Sequence, residues 1–139
     1  MSIICKSQIS YLIVEKKKKS KVLTPELLII MDDLSVEELR HKVVYNVLKK
    51  NRHYKAQIII SSQNGLDILP ASRKQIDYWV MLGGLEEKML ETIFNAAAFP
   101  TSLAMYMKMY KQAVKERFGF LFASTKGEFR MNFNKKFEL

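Results

Sequence analysis

Residues 27–33, LLIIMDD, constrain this chain more than any other stretch. An unbroken apolar run passes directly into two adjacent aspartates, Asp32 and Asp33. A short run of this kind predicts a strand buried on both faces, as in a parallel sheet. Two carboxylates at its end are costly to desolvate and repel each other unless a cation, a proton or a helix N-terminus helps. The next stretch, LSVEELRHKVVYNVLKK, holds Val36, Leu39, Val43, Val47 and Leu48 at helical spacing, with Ser35 and Glu38 as a capping box. The spacing predicts a helix that ends at NRHY (51–54). QIIISSQ (57–63) predicts a second buried strand, NGLDILPAS a loop, and DYWVML (77–82) a third strand. Strand, helix, strand, loop, strand is the rhythm of an α/β layer with parallel strands.

Gly83 and Gly84 close that unit. LEEKMLETIFNAAAF (85–99) predicts a helix stopped by Pro100, and TSLAMYMKMYKQAVKERF predicts another, whose methionines read as core filler rather than a special surface. FGFLFAS and EFRMNFN alternate at period two around TKG, which signals a hairpin. Upstream, ISYLIV (9–14) reads as a short strand or a helix tail. EKKKKSK (15–21) reads as a solvated loop, with phosphate contact as the alternative, and TPE (24–26) opens the next element. The expected organisation is one domain over 1–139, with the α/β unit in 27–82 and the helices and hairpin in 85–139.

Composition narrows the function classes. The net charge of +9, from 23 Lys+Arg against 14 Asp+Glu, favours polyanionic partners. A single cysteine, Cys5, excludes an intramolecular disulfide and a cysteine-built zinc centre, and fits a reducing, intracellular setting. No apolar run approaches the ~20 residues needed to cross a bilayer, and the N-terminus lacks a signal-peptide pattern. The expectation is a soluble protein without a membrane partner.

The aspartates have two readings. They cap the following helix, a task that Ser35 and Glu38 already perform, or they form a Walker B strand end. In the second case Asp32 holds Mg²⁺, through water, and Asp33 orients the attacking water beside a γ-phosphate. Gln63, emerging from the second buried run, either joins them by hydrogen-bonding a water or phosphate oxygen, or caps a turn.

LLIIMDDLS, NRHYKAQIIISSQ and LPASRKQIDYWVML together resemble the genome-packaging ATPases of poxviruses and other large nucleocytoplasmic DNA viruses, in the FtsK/HerA branch of RecA-like motors. The order of elements, the Arg-His pair before the strand, the Gln at its end and the Leu-Pro turn carry the resemblance over roughly residues 27–133. It implies a partial RecA-like P-loop NTPase core and a ring of subunits that hydrolyses ATP to drive double-stranded DNA into a capsid. It further implies Asp32 as the Mg²⁺ carboxylate, Asp33 as the catalytic base and Gln63 as the sensor-like residue. Arg73 or Arg52 would reach a neighbour's nucleotide, and the site of action would be the host cytoplasm or the virion.

One departure is large. None of the five glycines, Gly65, Gly83, Gly84, Gly119 and Gly127, begins a G-x-x-x-x-G-K-[ST] loop, and all follow Asp33. The expectation is therefore the C-terminal half of such a motor, working only if an upstream half supplies the phosphate loop. Two alternatives stand beside it. One is a non-enzymatic basic remnant that binds DNA or the intact motor. The other is a different FtsK/HerA translocase, of the conjugation or segregation type.

Overall fold

The computed structural model describes residues 2–6 and 27–138. It is a mixed α/β fold built on one seven-stranded sheet in the order β2-β3-β1-β4-β5-β6-β7. Strand β2 (Leu27–Met31) pairs in parallel with β3 (Ala56–Ser62), Leu27 opposite Ala56 and Met31 opposite Ile60. Helices α1 (Val36–Arg40) and α2 (Lys42–Lys50) make the crossover between them, as a parallel pair requires. Beyond the short helix α3 (Pro70–Arg73), β4 (Tyr78–Leu82) runs in the same sense as β3. Between these two lies β1 (Ser2–Lys6), antiparallel to both, with Ser2 opposite Ser62 on one side and Met81 on the other.

Helices α4 (Glu87–Ala97) and α5 (Leu103–Ala113) follow, and the hairpin of β5 (Phe120–Ser124) and β6 (Phe129–Met131) completes the sheet with the short β7 (Lys135–Lys136). The hairpin and both helices lie where the sequence pattern puts them. The ISYLIV, EKKKKSK and TPE readings lie outside the described residues, and strand β1 was not anticipated.

Alternation along the strands sorts the core. Ile58, Ile60, Trp79, Met81, Leu121 and Ala123 join one buried cluster with Leu39, Leu48, Leu90, Ile93, Tyr106 and Met109 from the helices. Ile59, Val80 and Phe122, on the other face, stand outside that cluster. Met109 is buried and Met107 packs against the cluster, whereas Met105 is exposed, so the methionine stripe of α5 is only partly core.

Two expectations need correction. The LLIIM run is not buried on both faces: among the described residues β2 is the sheet's edge strand, and Leu28 and Ile30 are 52% and 63% exposed. An apolar run reports that a strand prefers burial, but a central position also needs a neighbour on each side. The helix over 36–50 is in fact two, broken at His41, whose backbone is extended (φ −64°, ψ 140°). There His41 ends α1 and its Nδ1 accepts the Val43 amide, capping α2. A side-chain acceptor placed mid-helix competes with the backbone ladder, and here it wins.

Candidate functional site

The carboxyl ends of β2 and β3 meet at one edge of the sheet, where α/β folds place ligands. Asp32 and Asp33 leave β2 there, both exposed, so their desolvation cost is small. The Ser61 hydroxyl, from the buried end of β3, donates to Asp32 Oδ1 and fixes that carboxylate. Asp33 adopts a left-handed backbone (φ 54°), a conformation that Asp and Asn tolerate better than most residues. Both aspartates nonetheless border one cleft.

The helix cap belongs to other groups. Ser35 Oγ accepts the Glu38 amide at 3.3 Å, and the Glu38 carboxylate accepts the Ser35 amide at 2.8 Å. The Ser35 hydroxyl, which donates to the Glu38 carboxylate at 2.7 Å, and then the Ser35 amide hold that carboxyl below its ordinary range. With the cap complete, Asp32 and Asp33 are spare.

Both aspartates, Ser61, Gln63, Glu38 and Asp67 line an open cleft of about 920 Å³. Every charged residue lining it is acidic, and no lysine or arginine is among them. Gln63 is exposed and also borders a smaller cleft of about 260 Å³ beside Gly83, Gly84 and Lys88.

Asp67 escaped the sequence reading, as did Arg40. Ser62 Oγ donates to Asp67 Oδ2 at 3.3 Å, while Arg40 donates through Nε to the Asp67 carbonyl at 3.2 Å and through its terminal nitrogen to the Leu66 carbonyl at 3.3 Å. Leu66 N also donates to Asn64 Oδ1 at 2.9 Å, an Asx turn. Arg40 therefore ties α1 to the loop that frames the cleft. The N-G pair flagged this loop as a turn, but nothing local in the sequence points from residue 40 to residue 66.

The two arginines are not at the cleft. Arg73 is 8% exposed, its Nε has no partner among the described residues, and burial together with nearby Arg40 lowers its pKa. Arg52 is exposed in the turn before β3, at the opposite end of the sheet from Asp32. At about 3.3 Å per residue the strand separates them by roughly 20 Å.

The oxygen donors present suit a hard cation. Among the described residues no group of three or more His, Cys, Asp and Glu side chains converges on one point. Mg²⁺ bound with a nucleotide uses one or two carboxylates, keeps several waters and takes its other ligands from phosphate. Exposed Asp32, steadied by the Ser61 hydroxyl, fits that partial share.

Comparison with known proteins gives one match: a family model described as Poxvirus A32 protein covers residues 2–123. No curated protein and no solved structure matches the chain.

Proposed function

We propose a function on one premise: the chain belongs to the poxvirus A32 protein family. Membership implies a viral genome-packaging ATPase, and the finer reading is that these residues form the acidic half of its nucleotide site. They would help couple ATP hydrolysis to movement of double-stranded DNA into a capsid, within a ring or beside an upstream half. The observation that carries this reading is the parallel pair β2 and β3, which brings Asp32, Asp33, Ser61 and Gln63 to one cleft.

In this reading Asp32 would help hold Mg²⁺, which would supply charge neutralisation to the phosphates when bound. Asp33 would accept a hydrogen bond, and then the proton, from the water that displaces ADP from the γ-phosphorus. The Gln63 amide orients that water or a phosphate oxygen. A trans-acting arginine would serve a neighbour's site. Arg73 is the better placed in the chain but would have to be uncovered first.

The charge of the cleft argues that it is half a site. A triphosphate will not settle among Asp32, Asp33, Glu38 and Asp67 without compensating cations, and a phosphate loop supplies both a lysine and backbone amides. No such loop occurs in these 139 residues, and this reading has residues outside them supply it. A second reading, favoured by the net charge of +9, is a non-enzymatic DNA- or motor-binding remnant. No helix among the described residues is long and apolar enough to cross a membrane.

Reconstitution separates the readings. We predict no significant ATP turnover by the isolated 139-residue chain, since positioning and electrostatics are nearly all of phosphoryl-transfer catalysis. With a partner carrying the phosphate loop, Asp32→Ala should weaken Mg²⁺-nucleotide binding. Asp33→Asn should spare binding and lower turnover by about 10²-fold or more. Reconstituted turnover that both variants leave untouched would reject the nucleotide site and favour the remnant.

A further inference from the structure

The longest stretch without acid in the described chain is 39–66, which carries six lysines and arginines and no aspartate or glutamate. Its charges gather at the C-terminal turn of α2 and the turn into β3. Lys49, Lys50, Arg52, His53 and Tyr54 are all exposed there, at the end of the sheet opposite the acidic cleft. Lys49, Lys50 and Arg52 make no ion pair among the described residues. Lys49 stands over the Tyr45 ring, 5.7 Å from its centroid, and Tyr54 offers a 48% exposed ring braced edge-on by His53.

The other basic stretch in the described chain differs. In α5 and the turn after it, Lys111 is paired with Glu87 at 3.1 Å, and Glu116 sits between Lys115 and Arg117. Its positive field is partly cancelled, whereas among the described residues that of Lys49, Lys50 and Arg52 meets no paired acid.

We infer that the α2–β3 turn, centred on Lys49, Lys50 and Arg52, is a surface for the phosphate backbone of duplex DNA. Unpaired cations on a helix end and its following turn are suited to contacting successive phosphates, and such contacts position without reading sequence. The choice of DNA over other polyanions rests on the motor reading above. The placement itself rests on exposure and on the lack of ion pairs to these three side chains among the described residues. It also gives Arg52 to DNA rather than to a neighbour's nucleotide. The acidic cleft and the basic turn then occupy opposite poles, so nucleotide and DNA would not compete for one patch.

The test is salt-dependent binding of a 20-base-pair duplex to the full chain, by fluorescence anisotropy. Removing the three charges in K49Q/K50Q/R52Q should flatten the slope of log affinity against log salt by about 2 to 3, close to 0.9 for each phosphate no longer neutralised. The control K108Q/K111Q/K115Q should flatten it by about 1 or less. Circular dichroism checks that both remain folded, and the single variants K49Q and R52Q, each freeing about one phosphate, replace a triple that does not. Equal flattening by both triples would overturn the inference in favour of bulk charge. So would a wild-type slope in K49Q/K50Q/R52Q, or binding to phosphatidylserine vesicles but not to the duplex. No nucleotide turnover enters this measurement, so its failure is distinct from failure of the ATPase reading.

Discussion

At the residue scale, Asp33 and Glu38 divide two tasks that the sequence leaves mixed. Glu38 completes the cap of α1, which frees Asp33 to take a left-handed backbone in the cleft. That backbone makes Asp33→Asn the cleaner substitution, since Asn tolerates positive φ, whereas alanine would add strain to the chemical loss. Glu38 supports a separate pH prediction. Its hydrogen bonds with Ser35 depress the folded-state pKa, so its charge-dependent stabilisation is complete above the ordinary glutamate value and is lost as pH falls through the lowered one. Thermal melting of wild type and Glu38→Gln should therefore differ near neutral pH and converge in acid. A difference that persists unchanged to about pH 3 would show that the charge contributes nothing to the cap.

At the scale of elements, the junction between α5 and β5 leaves the least room for a side chain of any glycine position. A Cβ on Gly119 would lie 2.2 Å from the Ala113 carbonyl oxygen and 3.0 Å from that of Glu116, both backbone atoms that cannot step aside. Gly119→Ala should cost about 1–3 kcal/mol in urea unfolding, as overpacking does. Gly83→Ala, whose Cβ would meet Val114 at an ordinary 3.6 Å, should cost much less. Equal losses would remove close approach as the reason for glycine at 119. The elements themselves were mostly legible, because hydrophobic period separates the strands at 56–62 and 78–82 from the helices at 87–97 and 103–113. Hidden from that reading were the break at His41, decided by one imidazole acceptor, and the tie from Arg40 to Leu66 and Asp67. Of the cleft, Asp32, Asp33 and Gln63 could be read from polar residues ending apolar runs. Asp67 could not, because its place depends on how the loop folds back onto Ser62. The burial of Arg73 was likewise invisible, since a Leu-Pro turn looks the same whether its arginine faces water or the core.

At the scale of the whole molecule, the length of β3 separates the acidic cleft from the basic α2–β3 turn, and among the described residues β2 forms a hydrophobic edge. Natural edge strands are commonly blunted by a lysine, a proline or a bulge, and Leu27–Met31 has none of these. Leu28 and Ile30 project 52% and 63% exposed from one side of it, whereas Ile29 and Met31 turn inward to the core cluster. The isolated chain should therefore associate through this edge despite its +9 charge. Ile30→Lys places a charge on the exposed side and should lower that association with little loss of stability. Ile29→Lys would put the same charge against the core and should unfold the protein instead. Sedimentation velocity over a concentration series, at low salt and in added sulfate, distinguishes the cause. Association through an apolar edge strengthens in sulfate, whereas contacts between the acidic and basic poles weaken as ionic strength rises. If Ile30→Lys associates as strongly as wild type, and sulfate disperses both, the oppositely charged poles rather than β2 hold the copies together.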